Sequence, residues 1–282
     1  MVGQLGTEQM SGVAIVNQLI FVYNLAIFGA ASAASIFGAQ YFGKGNHEGH
    51  MYSFRFKLYA TVFVTILAIT LFITNGENLI SLYLTDTAGT GATEVALQYG
   101  KQYLSIMLIG LVPFAITQSY ATNIKETGQT FVPMAASFVA VGSNAVLDYL
   151  LIFGIGPFPK LGVVGAALAT ILARYIEAAI IVIWAHTHKE KNKYLNGAYA
   201  GFGMPIEEFK AILIKGFPLM LNELLWAAGM TVTQCYSVRG LEVVAGLNIA
   251  TTITNLFNIV YIQLGACISI IVGQYLGAGE LE

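Results

Sequence analysis

Five stretches of this chain contain no Asp, Glu, Lys or Arg: Gln9 to Gly43, Leu58 to Gly76, Gln102 to Ile124, Thr127 to Leu147 and Val243 to Gly279. A bilayer core needs about 20 apolar residues per helix, and each stretch is long enough to supply them. Two more apolar stretches carry one or two charges: Leu161 to His188 with Arg174 and Glu177, and Gly216 to Val238 with Glu223. Together they predict seven spans, near 12–38, 55–75, 98–122, 131–153, 163–185, 210–236 and 244–274. Strand alternation is missing, so a membrane β-barrel is not expected. The predicted fold class is all-α, a polytopic membrane helix bundle. Composition supports this. Only 10% of the 282 residues are charged and 56% are hydrophobic, whereas soluble domains carry about 25% charged residues. Too few charges remain to cover a soluble surface, which excludes a soluble enzyme, a nucleic-acid binder and a disordered chain. Cys235 and Cys267 form no disulfide framework and are expected as small packing residues. The chain opens without the basic region of a signal peptide.

The loops set an orientation. With the start of the chain outside, the cytoplasmic loops hold Lys44, Arg55, Lys57, Lys125, Lys189, Lys191, Lys193, Lys210 and Lys215. The outer loops then hold Lys101, Lys160 and Arg239. The positive-inside rule favours this arrangement.

The sequence also matches itself at an offset of 234. Residues 35–48 run SIFGAQYFGKGNHE, and residues 269–282 run SIIVGQYLGAGELE. The match extends back through Asn24/Asn258, Ile15/Ile249, Gly12/Gly246, Glu8/Glu242 and Gly6/Gly240, with 12 identities over 48 gapless pairs. Internal repeats of this kind are a transporter architecture. The second copy is preceded by a span that the first lacks, and the first copy is followed by spans that the second lacks. The expected parent therefore has about twelve spans in two parallel halves of six. Residues 1–185 would be the first lobe without its first helix, 186–206 a cytoplasmic linker, and 207–282 the start of the second lobe.

The segments VGQLGTE, AQYFGKGNHE, NAVLDYLLIFG and GVVGAALATILARYIE resemble the multidrug and toxic compound extrusion family. GFPLMLNELLWAAG followed by RGLEVVAGLNIATTI resembles the start of that family's second half. The resemblance implies a twelve-helix, two-lobed antiporter of the cell membrane, monomeric at full length. Its partners would be a small amphipathic substrate, often an organic cation, and the lipid bilayer. The coupling ion would be H⁺ or Na⁺, with no further cofactor.

Asp148 is the most informative single residue. A charge inside a span costs about 2.5–3.5 kcal/mol on insertion scales, so it should face the bundle interior. Asn144, four residues earlier, shares its helical face. A carboxylate and an amide carbonyl directed to one spot suit Na⁺, and a desolvated carboxylate can carry a proton near neutral pH. The alternative is a structural Asp–Asn hydrogen bond, or an Asp near the outer interface. In the resembled family this Asn and Asp match the cation site of the first lobe, with Thr170 and Tyr103 as neighbouring contacts. That family's site also uses an Asp on the helix expected to precede this chain.

Glu223, beside Asn222 and five residues after Pro218, is a candidate second-lobe carboxylate for a proton or a cationic substrate. Its alternative is a partly wet position near Lys215. Arg174 and Glu177 are expected to form an i, i+3 ion pair. His186 and His188 lack the further ligands that a metal site needs. The run GAASAAS at 29–35 is expected to let helices approach closely. Amides including Asn17, Asn24, Gln40, Gln118, Asn123, Asn255 and Gln274 exceed what anchoring requires, so some should line a cavity. Pro113 and Pro218 can kink their helices. No phosphate loop, HExxH motif or nucleophile elbow occurs, and no enzymatic activity is expected. A flippase for lipid-linked sugars is the alternative function. Its cavity would be expected to carry several basic residues, and only Arg174 is available within a span.

Overall fold

The computed structural model describes residues 6–84, 90–201, 203–235 and 241–280; among these, the side chains at 90, 92, 220, 224, 227, 228, 230–253, 255, 256 and 259 are excepted. The expectations concerning Cys235, Arg239, Glu242 and Asn255 fall outside these described parts. The elements are α1 (Thr7–Gly43), α2 (His47–Ser81), α3 (Thr90–Met107), α4 (Leu111–Glu126), α5 (Phe131–Phe153), α6 (Val163–Thr187), α7 (Ile206–Cys235) and α8 (Leu241–Ala278). Six helices among the described residues are long and apolar enough to cross a membrane, with α3 and α4 counted as one. Residues 210–235 of the predicted span 210–236 lie within α7, which contains Pro218 and is not among these six.

Local signals set the boundaries. After α1 the chain turns at Gly45, whose φ of 72° suits a residue without a Cβ. The Asn46 side chain then caps α2 by accepting from the Gly49 N–H at 2.9 Å, with Glu48 in the first turn. Gly154, in the left-handed region, ends α5.

The third span is one bent rod. A 3₁₀ turn at Leu108–Gly110 separates α3 from α4, and Pro113 just beyond it lacks the N–H that a continuous helix would use. Arg174 of α6 fills the break. Its Nη1 donates to the Gly110 carbonyl at 3.0 Å, and its guanidinium lies 5.0 Å from the Phe114 ring centroid. The expected Arg174–Glu177 ion pair is therefore not formed. Glu177 instead accepts from the Ser137 hydroxyl at 2.6 Å. The buried carbonyl at the helix break offers arginine a desolvated acceptor.

Helix α1 is the hub, packed against α2, α3, α4, α7 and α8, while α5 pairs with α6. Small residues permit this. Gly29, Ala30, Ala31, Ala33 and Ala34 are buried, and a Cβ at Gly216 of α7 would stand 2.5 Å from the Ala33 Cβ. The run at 29–35 thus serves close helix approach, as expected. Cys267, by contrast, is exposed on α8 rather than packed. At Gly12 a Cβ would meet the Ala96 carbonyl oxygen at 2.5 Å and the Gly100 nitrogen at 2.9 Å. Backbone cannot yield as a side chain can. Gly12→Leu is expected to destabilise the bundle by at least about 1–3 kcal/mol, visible as a lowered thermal transition in detergent.

Residues 188–201 and 203 fold back onto one end of the bundle, hereafter the linker end. Tyr194 is fully buried there against Phe54 and His50. Burial pushes its phenol well above the usual tyrosine range. Arg55 donates to the carbonyls of Gly197 at 2.7 Å, Ala198 at 2.9 Å and Gly203 at 2.5 Å. Arg55 and Lys57 are therefore not loop charges. Both lie inside α2 and are buried, because α2 begins eight residues before the predicted span. By the same measure Lys125 lies in the last turn of α4 and Lys210 and Lys215 within α7, which leaves Lys44, Lys189, Lys191 and Lys193 between the α-helices on the predicted cytoplasmic side.

Candidate functional site

Three polar constellations lie inside the bundle. The first is built around Asp148. Asn144 and Asp148 sit one turn apart on α5, and Asn144 Nδ2 and Asp148 Oδ1 are both buried without a hydrogen-bond partner. These two atoms do not form the structural Asp–Asn bond. Buried polar atoms are normally satisfied, and a flip of the Asn144 amide would bring its carbonyl oxygen to the same place. Tyr103 of α3 is the neighbouring hub. Its hydroxyl donates to Asn17 Oδ1 of α1 at 3.2 Å. It also lies beside Thr170 of α6 and within electrostatic reach of Asp148 and Arg174. Thr170 Oγ1 further donates to the Ala166 carbonyl at 3.0 Å. Four helices thus converge here. Arg174, which sequence spacing assigns to a pair on its own helix, lies within electrostatic reach of the Tyr103 hydroxyl.

The second constellation is a cavity of about 420 Å³ between α1, α4, α7 and α8. Asn24 and Phe28 line it from α1, Phe114 and Gln118 from α4, Glu223 and Trp226 from α7, and Gln263 from α8. Trp226 packs against Phe21 with ring centroids 6.3 Å apart. Asn24 Oδ1 is buried and unpartnered. Lys215, the wet alternative's neighbour for Glu223, lies over the Phe37 ring at 5.8 Å. Two of the expected cavity amides, Asn24 and Gln118, face this space. Gln274 and Asn123 do not line it.

Asn123 belongs to the third constellation, which sequence reasoning missed. At the linker end Lys57 Nζ donates to Glu126 Oε1 at 2.5 Å and to Asn123 Oδ1. His50 Nε2 lies 3.3 Å from Glu126 Oε2. All four side chains are at most 1% exposed. Gly38 of α1 makes the room, since a Cβ there would fall on the Glu126 carboxylate. Charges near span ends look solvated in a sequence, and the available signal was only that Lys57 lies about three turns beyond the Asn46 cap. The two histidines considered for a metal instead stack on aromatics, His186 on Tyr199 and His188 on Trp184.

A multi-pass bundle whose carboxylates and amides gather between helices, around a cavity with aromatic walls, is built as a membrane transporter. The MatE family profile matches residues 1–150 and 218–282, well over half of the chain. The chain belongs to the MatE family, whose members are transporters rather than enzymes. It is similar to the probable multidrug resistance protein NorM of Thermotoga maritima, 28% identical over 288 residues, covering 99% of this chain and 58% of that protein. It is also similar to the FAD transporter of Shewanella oneidensis, 24% identical over 286 residues, covering 99% and 60%. Among solved structures, an outward-facing multidrug resistance MATE family transporter of the MOP superfamily superposes with a TM-score of 0.82. It is 21% identical and is covered over 60% of its length by 99% of this chain. The chain thus spans about three fifths of the length of these relatives.

Proposed function

We propose that these residues belong to a two-lobed antiporter that exports organic cations or other amphipathic compounds in exchange for H⁺ or Na⁺. Residues 1–185 form the first lobe, 186–206 link it to the second, and the linker end faces the cytoplasm. One observation carries this reading: the cavity places the Glu223 carboxylate among Phe28, Phe114 and Trp226. A carboxylate supplies the counter-charge for an organic cation, and aromatic faces add roughly 0.5–2 kcal/mol each by cation–π attraction. Walls contributed by α1 and α4 on one side and by α7 and α8 on the other let an occupant sense both lobes. The Asp148 constellation lies apart from this cavity and is the coupling-ion site, with Asn144, Thr170 and Tyr103. Loading it and loading the cavity favour different arrangements of the lobes, and that difference drives exchange.

The test is Glu223→Gln in the full-length transporter, with ethidium as the probe in inverted membrane vesicles. Ethidium transport is expected to fall at least about tenfold, the equivalent of 1.4 kcal/mol, with Trp226→Ala showing a smaller loss. Unchanged transport in Glu223→Gln would remove the cavity from the mechanism.

A further inference from the structure

We propose that the linker end carries a binding site for a phosphate group, formed where the linker passes the start of α2 and the turn between α4 and α5. The site lies outside the Glu223 cavity and outside the Asp148 constellation, and it does not depend on what is transported.

The site is a second cavity, of about 270 Å³. Sites that enclose a drug-sized ligand measure roughly 300–1,000 Å³, so this one suits a small ion or a headgroup. Its wall is basic and rich in donors. Lys191 and Lys193 line it from the linker, His47 and His50 from the first turn of α2, and Gln129 from the α4–α5 turn. Glu190 is the one carboxylate among the lining residues. Two ammonium groups against one carboxylate favour an anion over a metal ion. Basic pockets between helices at a membrane surface are the recognition chemistry of phosphate headgroups, and ammonium donors serve a free phosphate equally well.

The lysines are held in place by the residues between them. Asn192 and Tyr194 alternate with Lys191 and Lys193 and are fully buried. Asn192 Nδ2 donates to the carbonyls of His188 at 3.1 Å and Ala185 at 3.4 Å. The Tyr194 ring centroid lies 4.9 Å from that of His50. With these two side chains sunk into the bundle, Lys191 and Lys193 stay exposed at the mouth of the cavity.

The interior behind the wall does not repel an anion. Glu126 lies there with its charge met by Lys57 at 2.5 Å. His50 directs Nε2 toward Glu126 and Asn123, which leaves Nδ1 to bond an occupant. Helix α2 begins at His47 on the same wall, and a helix N-terminus favours negative charge. Glu48 in that first turn accepts from the Tyr52 hydroxyl at 2.7 Å.

The experiment uses the full-length transporter in a neutral detergent. It reads the thermal transition against the concentration of two probes at constant ionic strength. One is inorganic phosphate; the other is dihexanoyl phosphatidylglycerol, with dihexanoyl phosphatidylcholine as its control. Saturation with at least one probe is expected to raise the transition by about 3 °C or more. Lys191→Ala/Lys193→Ala is expected to weaken the apparent affinity at least about tenfold. Lys191→Arg/Lys193→Arg should retain it, and Glu190→Gln should strengthen it, a direction that a merely structural role would not produce. A response to phosphatidylglycerol alone assigns a lipid headgroup, and a response to inorganic phosphate alone assigns a free phosphate. A response to both shows that the phosphate group itself suffices. No shift with either probe, or a shift that the alanine variant shares in full, overturns the site. Transport is not read, so the outcome is independent of the export reading.

Discussion

Asp148→Asn is expected to abolish efflux by the full-length transporter while leaving expression and thermal stability unchanged or slightly improved. The two halves of this result have separate causes. Asparagine keeps the shape of the side chain but can neither hold a charge nor release a proton. A side chain that cannot change its charge cannot couple an ion to the conformational cycle, so transport should fall at least about tenfold. Stability should not fall, because Asp148 Oδ1 has no hydrogen-bond partner to lose. Neutralising it removes a burial cost of about 2.5–3.5 kcal/mol. Efflux assayed beside the detergent melting temperature separates the two effects. Normal efflux from Asp148→Asn would take the residue out of the mechanism. Tyr103→Phe should give a partial loss, since it removes the hydroxyl that ties Asn17 of α1 to the site.

Lys57→Met should have the opposite signature, a loss of folding rather than of coupling. Lys57 and Glu126 are both fully buried. Removing one partner of such a pair strands the other charge and costs about 3–5 kcal/mol. Glu126→Gln should cost a similar amount, since it strands the ammonium. The double variant Lys57→Met/Glu126→Gln strands neither charge and should recover most of the loss. The cycle of four proteins, measured by denaturant or thermal unfolding in detergent, isolates the pairwise interaction. Single variants each within 1 kcal/mol of the parent would show that the pair does not hold the linker end together.

The placement of Asp148 and Asn144 was legible because both lie in a span where a polar group is costly, and their spacing of four fixes a common face. Glu223 was legible for the same reason, though its partners were not. The cavity around it takes walls from α1, α4, α7 and α8, residues separated by more than two hundred positions. Arg174 was misassigned because spacing along one helix favours Glu177, whereas the 3₁₀ break at Leu108–Gly110 offers a free carbonyl on another helix. Arg55 and Lys57 were misplaced in a loop because hydropathy marks where lipid begins, not where the protein interior ends.

By itself the sequence determined the all-helical class, the approximate bounds of most spans and the 234-residue repeat. Those are one-dimensional consequences of a solvent that penalises each charge and each unpaired backbone group. Tertiary structure alone decided that Lys57 pairs with Glu126, 69 residues away, and that Gly43 and Gly277 pack reciprocally against Gln274 and Gln40. Those choices depend on which helix faces meet and how near their backbones come, and hydrophobicity along a chain does not encode either.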